Sequence, residues 1–213
     1  MKVTKAVIPA AGLGTRVLPA TKSIPKEMLP IVDRPAIHYI VEEAVRAGIT
    51  DILIITSRGK SSVEDYFDRA PELEERLARS GKEALLREIL EVTRMADIQY
   101  VRQQEAKGLG HAVLCARSFV GKEPFAVLYG DDVIISPPGE PAIGQLCRAY
   151  DKYGLGVVGM KEVSPQQIGK YSSLAVEPLE ERVYKVTDMV EKPAPDKVLS
   201  LFSILGRCVL PPE

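Results

Sequence analysis

The sequence predicts an α/β protein, a mostly parallel sheet flanked by helices with a smaller antiparallel portion near the C-terminus. Three observations predict it. Short apolar runs recur at 6–10, 52–56, 98–101, 125–129 and 155–160, and periodic helical segments lie between most of them. Beyond residue 162 the texture changes to strand-like segments at 171–176 and 183–190, joined by an acidic turn at Glu180-Glu181. Strands separated by helices pair in parallel and are buried on both faces, which demands continuous apolar runs, whereas strands joined by a short turn pair antiparallel.

The elements follow in chain order. Residues 6–10 form the first buried strand and end in a loop rich in glycine and proline. The helix over 35–47 is the clearest: Ile37, Ile40, Val41, Ala44 and Val45 share one face, Pro35 suits the first turn and Gly48 the stop. Over 71–93, Leu73 and Leu77 and then Leu85, Leu86, Ile89 and Leu90 fall at helical spacing within a charge-dense stretch broken near Ser80-Gly81. That pattern predicts two surface helices with a solvated charged face. The run GRCVLPPE closes the sequence after an apolar stretch and without a final helix, so a piece of a longer protein is expected.

A chain of 213 residues, 46% hydrophobic, is long enough for one sizeable core, and a single domain over 1–213 is expected. Basic residues number 28 against 29 acids, so the net charge of −1 offers no field for nucleic acid or acidic lipid, and any anion site must be local. Cys115, Cys147 and Cys208 show no CxxC spacing and read as reduced thiols in the core. No apolar run approaches the roughly 18 residues that a membrane span needs, and no signal pattern opens the chain. A cytoplasmic protein is expected.

The loop PAAGLGTRVLPATKSIPKEMLP, directly after the first strand, carries the chemistry. Ligands of parallel sheets bind outside the carboxyl ends of the strands. Glycines there let backbone N–H groups approach an anion, and Arg16, Lys22 and Lys26 supply charge-assisted bonds to phosphate oxygens. The loop reads as a polyphosphate cradle, against the blander reading of an irregular loop rich in turn formers. A dinucleotide fingerprint fails because its third glycine would fall on Val17, and Gly59-Lys60-Ser61 fails as a P-loop because the earlier glycine position holds Ile54.

Three further stretches stand out. In YGDD, a carboxylate leaving a strand end beside a glycine suits Mg²⁺, which takes one or two carboxylates together with phosphate oxygens and water. Adjacent acids on extended backbone project to opposite sides, so one of them reaches the metal, and Asp131 is the choice. In VEKP, Glu191 and Lys192 can serve one ligand only if the strand end twists or bulges; a surface ion pair is the alternative. In QQEAKGLGHAV an amide precedes a glycine turn and a helix start, and an amide can match the edge of a base. His111 and His38 read as packing or capping residues, because no second His or Cys lies at ligand spacing.

Taken in order, AAGLGTR, PKEML, GLGHAV, GDD and EKP resemble the sugar-nucleotide pyrophosphorylases, and the resemblance extends to LPATKSIPKEMLPIVDRPAIHYIVEEA and GRCVLPPE. It implies a nucleotidyltransferase of Rossmann-like, glycosyltransferase-A-like fold that converts UTP and glucose 1-phosphate to UDP-glucose and pyrophosphate with Mg²⁺. By motif, Ala10, Ala11, Gly12 and Gly14 would hold the nucleotide, Arg16 the leaving β- and γ-phosphates, and Lys26 the α-phosphate. Gln103 and Gly108 would contact uracil and Asp131 the metal; Gly169 and Glu191 would touch glucose hydroxyls, and Lys192 the sugar phosphate. The alternatives within reach are another base or sugar preference, and a nucleotide-sugar-binding module without turnover. Two departures stand out: Ser172-Ser173 where the family has glycine after the tyrosine of its IGKYG-like stretch, and Cys208 where tyrosine is common. The resemblance also implies homo-oligomers whose subunit interface, further helices and second metal-binding aspartate lie past the counterpart of GRCVLPPE. This chain is expected to lack that segment.

Overall fold

The computed structural model describes residues 2–136 and 139–212. Its elements in chain order are β1 (Lys5–Pro9), β2 (Pro30–Ile31), β3 (Arg34–Pro35), α1 (Ala36–Arg46), β4 (Asp51–Thr56), α2 (Ser61–Phe67), α3 (Pro71–Arg79), α4 (Glu83–Thr93) and β5 (Asp97–Arg102). There follow α5 (Leu109–Leu114), α6 (Arg117–Val120), β6 (Phe125–Leu128), α7 (Ala142–Tyr153), β7 (Val157–Glu162), β8 (Ser172–Glu180), β9 (Val183–Glu191) and β10 (Phe202–Leu210).

The main sheet has the order β5-β4-β1-β6-β10-β7. β1 pairs in parallel with β4 and β6, and β4 in parallel with β5. Along β1, Ala6 and Ile8 face one apolar layer while Val7 faces the other. The first layer is closed by Ile37, Ile40, Val41 and Ala44 of α1, Val63 and Phe67 of α2, and Ile143 of α7. The second is closed by Ala112 of α5, Ala116, and Val120 of α6. This two-sided burial is why the strand runs are continuously apolar. Each fully buried aliphatic side chain contributes about 1.5–3 kcal/mol, far more than intrinsic strand propensity.

The helix expected over 35–47 is α1, ended by Gly48 at φ 83°, and the charged stretch splits into α3 and α4 at Gly81, φ 69°. Glycine is needed at both ends because a side chain strains that left-handed backbone. β8 and β9 form the expected antiparallel hairpin, a sheet of their own.

One strand escaped the sequence reading. The closing apolar run is the end of β10, which inserts between β6 and β7 and runs antiparallel to both. Nothing local announces this, since β10 pairs with strands far upstream. It is fixed by tertiary bonds: Arg207, 1% exposed, donates through Nε and Nη2 to the Glu43 carboxylate at 2.6–3.1 Å, while Glu43 Oε1 also accepts from Ile143 N at 3.0 Å. α1, α7 and β10 are thereby pinned at one point.

All three cysteines are free and half-buried; burial pushes Cys147 and Cys208 up to about 11, so both stay protonated at neutral pH. Among the described residues no helix is long and apolar enough to cross a membrane.

Candidate active site

The site forms where β1 and β6 end side by side. β1 stops at Pro9, and Gly130 N donates back to Pro9 O at 3.3 Å. A Cβ at Gly130 would lie 3.0 Å from Pro9 O and 3.3 Å from Ala10 Cβ. A glycine is therefore what lets the two strand ends close up. Ala10 and Ala11 are buried beneath the loop and Gly12 is exposed on it.

Past Gly12 the chain makes three short 3-10 turns, Thr15–Val17, Ala20–Lys22 and Lys26–Met28. Gly14 starts the first at φ 69°, and Thr21 Oγ1 donates to Gly14 O at 2.7 Å, folding the loop onto itself. Arg16 is exposed on that first turn. The third turn points Lys26 back at the strand ends. Its Nζ lies 3.6 Å from the position of a Cβ on Gly12 and donates to Asp131 Oδ2 at 2.5 Å. The Asp131 side chain is 44% exposed and that of Lys26 22%, so the pair borders solvent.

Asp132 is held elsewhere. Its Oδ2 accepts from Gly206 N at 2.9 Å, and its carbonyl from Arg207 Nη2 at 2.7 Å. A Cβ at Gly206 would fall 2.5 Å from Asp132 Oδ2. Of the two adjacent acids, β10 claims Asp132 and leaves Asp131 at the opening. The backbone here is not the extended one expected from the sequence but a turn in which Asp132 N donates to Tyr129 O at 3.2 Å, so the turn and β10, not strand alternation, part the two carboxylates.

Gln103 follows β5, with its N bonded to Thr56 O at 2.9 Å. Its side-chain Nε2 donates to Gly108 O at 3.1 Å and to His111 Nδ1 at 2.9 Å. Both amide hydrogens are thus turned inward, which leaves the carbonyl oxygen for a ligand. Gly108 starts α5 at φ 86°, and His111 Nδ1 fixes the amide. His38 is buried between Arg34 at 3.1 Å and Tyr66 at 3.0 Å; burial and then the Arg34 charge lower its pKa, so it packs as a neutral ring.

Gly169, Glu191 and Lys192 assemble at the far end of the β8–β9 hairpin. A Cβ on Gly169 would sit 3.6 Å from Pro193 O. Lys192, with φ 47°, bends the chain as β9 ends, and its N donates to Tyr171 O at 2.9 Å. The bend interrupts the strict alternation of an extended strand at Glu191 and Lys192. No hydrogen bond among the described residues joins this trio to Lys26 or Asp131. Burial first, and then the charges of Cys208, Glu191 and Asp132, raises the Tyr129 pKa. Ser172 and Ser173 are buried and structural. Ser172 Oγ accepts from Ile204 N at 3.1 Å, and Ser173 Oγ from Leu199 N and Ser200 N at 3.0 Å, which staples the hairpin to the segment leading into β10.

Two residues at the site were missed from sequence. Glu27 is 0% exposed and its Oε2 accepts from Lys60 Nζ at 2.8 Å; Lys60, 7% exposed, also donates to Ala10 O. Lys60 belongs to the stretch that fails as a P-loop, and its only local signal was a lysine beside glycine at a strand end.

The nucleotidyl transferase family model matches residues 5–206. The chain is 56% identical over 209 residues to the UTP–glucose-1-phosphate uridylyltransferase YngB of Bacillus subtilis (strain 168), covering 98% of this chain and 70% of that one. It is 51% identical over 212 residues to another UTP–glucose-1-phosphate uridylyltransferase of the same strain, covering 100% and 72%. Among solved structures, a UDP-glucose pyrophosphorylase complexed with UDP-glucose is 44% identical at a TM-score of 0.88, covering 99% and 76%. The UTP-bound enzyme from Acinetobacter baumannii is 42% identical at a TM-score of 0.93, covering 99% and 75%.

Proposed function

We propose that this chain, which belongs to the nucleotidyl transferase family, transfers UMP from UTP to glucose 1-phosphate, giving UDP-glucose and pyrophosphate. The observation that carries the reading is the meeting of Lys26 with Gly12 and Asp131 at the carboxyl ends of β1 and β6. It gives one opening an approachable backbone, an ammonium and a solvent-bordering carboxylate paired with that ammonium. The relatives' names supply the base and the sugar.

The phosphate of glucose 1-phosphate is already an anionic nucleophile, so the reaction needs no general base. One of its oxygens attacks the α-phosphorus of UTP, and the bond to the bridging oxygen breaks as pyrophosphate leaves. The protein's work is alignment and charge neutralisation. Ala10, Ala11, Gly12 and Gly14 line the nucleotide, Arg16 meets the departing phosphates, and Lys26 faces the α-phosphate. The inward-turned amide of Gln103 offers its carbonyl to the imide N–H of uracil, beside Gly108. Gly169 and Glu191 meet glucose hydroxyls and Lys192 the sugar phosphate.

Among the described residues no group of three His, Cys, Asp or Glu side chains is placed to hold a metal. A single exposed carboxylate still fits Mg²⁺, which completes its shell with phosphate oxygens and water. Asp131 is that ligand in our reading, and the bound ion supplies charge neutralisation on the phosphates. Lys26 and Asp131 balance each other in the nucleotide-free chain and exchange partners when substrate arrives.

The test is pyrophosphate release from four nucleoside triphosphates paired with several sugar 1-phosphates. UTP with glucose 1-phosphate is expected to give the highest kcat/KM; no release with that pair, or preference for another, overturns the reading.

A further inference from the structure

Lys26 and Glu27 are neighbours on one short turn, yet their side chains part. Lys26 faces the opening and Glu27 is sealed beneath it. Glu27 Oε2 is engaged by Lys60, whereas Oε1 is buried without a hydrogen-bond partner among the described residues. Buried acceptors are rarely left unpaired, because their desolvation is then uncompensated. The Lys26 ammonium stands 3.9 Å from Oε1 while bonded to Asp131. An ammonium has three hydrogens to give, and Asp131 takes one.

We infer that Glu27 and Lys60 are positioning residues for nucleotidyl transfer: Glu27 Oε1 takes one N–H of Lys26 and so aims the ammonium at the transferring phosphate. The inference rests on the uridylyl-transfer reading, in which Asp131 leaves Lys26 for the cation. At that moment Oε1 is the unpaired acceptor beside the ammonium. Lys60 sustains the arrangement in two ways. It keeps a carboxylate at Glu27 against burial, which raises Glu27 and lowers Lys60 while their pairing opposes both shifts. It also donates to Ala10 O, so one ammonium ties the end of β1 to the turn that bears Lys26. The register of the glycine loop against Lys26 is thus set from the connection between β4 and α2, outside the loop itself.

Glu27→Gln alone strands the Lys60 ammonium in a buried place, so the informative variant is Glu27→Gln/Lys60→Met, which removes both charges and keeps the volumes. Glu27→Asp is the second variant, keeping the pair but withdrawing Oε1. Pyrophosphate release from UTP and glucose 1-phosphate, with melting temperature alongside, is measured for each in the parent and in a Lys26→Ala background. In the parent background both variants are expected to fold and to lose about 10- to 100-fold in kcat, a fraction of what a full transition-state contact contributes. KM for UTP is expected to stay within about threefold, since the ammonium acts mainly on charge that develops in the transition state. In the Lys26→Ala background the loss is expected to vanish, because the carboxylate then has nothing to aim. Folded variants with kcat within about twofold of the parent overturn the role, as does an equal fractional loss in both backgrounds, which marks a scaffold only. A parent chain that releases no pyrophosphate overturns the transfer reading itself; a working parent with unaffected Glu27 variants removes this role alone.

Discussion

Two ion pairs lie buried among the described residues, and they are built to opposite standards. Glu43–Arg207 joins α1 to β10 with every polar group answered: the guanidinium serves the carboxylate, Gly206 O and Asp132 O, and the carboxylate also takes Ile143 N. Glu27–Lys60 lies beneath the nucleotide loop and leaves Oε1 open. Burying charge costs several kcal/mol per ion unless geometry and extra hydrogen bonds compensate. The first pair meets that condition and acts as a rivet. The second does not, and the deficit sits 3.9 Å from the lysine that faces the chemistry. Where a buried network is incomplete, a ligand-bound state is the place to look for the missing bond.

The sharpest way to break the comparison is to remove half of the rivet. Arg207→Met strands the Glu43 carboxylate and orphans two carbonyls, and is expected to cost about 3–5 kcal/mol. Urea unfolding checks it, and a cost near zero would mean that β10 is held by strand pairing alone. Next in size, Lys26→Ala is expected to lower kcat by about 10²–10³ with an unchanged melting temperature, the amount one well-placed charge-stabilising contact supplies. Near-normal turnover in the purified variant removes Lys26 from the reaction.

Gly206→Ala sets a Cβ 2.5 Å from Asp132 Oδ2 and 2.9 Å from the Tyr129 ring. Forced overpacking of this kind costs about 1–3 kcal/mol. Since Asp132 must shift, Asp131 shifts with it, and a loss of turnover should accompany the loss of stability. Stability lost with turnover intact would detach β10 from the site.

The smallest effect is one of pH. Burial raises Glu27 above its ordinary 4.5, so between that value and the raised one the folded state binds more protons than the unfolded. Stability contributed by this group is therefore present below pH 4.5 and lost as pH rises through the folded value, with Lys60 and Lys26 limiting the loss. The melting temperature of Glu27→Gln/Lys60→Met should gain on that of the parent as pH rises from 4.5 towards neutrality; parallel curves would show that the pair carries no net strain.

Much of this was legible in the sequence. Alternation of apolar runs with helical segments fixed the parallel sheet, because burial on both faces selects apolar residues through the middle of β1 (6–8) and β4 (52–55). Gly48 and Gly81 marked helix ends because the left-handed backbone belongs to glycine. The glycine loop could be read as an anion cradle from local chemistry, whereas local geometry showed only that one of Asp131 and Asp132 would serve; the two part at a turn that β10 holds from outside. The serines at 172 and 173 read as a departure at a sugar contact, and tertiary structure makes them staples for β10.

What the chain could not announce was decided by residues distant in sequence meeting in space. β10 enters the sheet between two strands that precede it, and its pattern differs little from any apolar tail. Lys60 lies 33 positions from Glu27, and each looks like an ordinary surface charge until the fold removes both from water. Periodicity and turn chemistry are local properties, so the sequence by itself determined the elements other than β10 and the residue types of the glycine loop. Desolvation and pairing are properties of the assembled interior, so only the tertiary structure decided which charges are buried, which acid faces the opening and which oxygen is left unpaired.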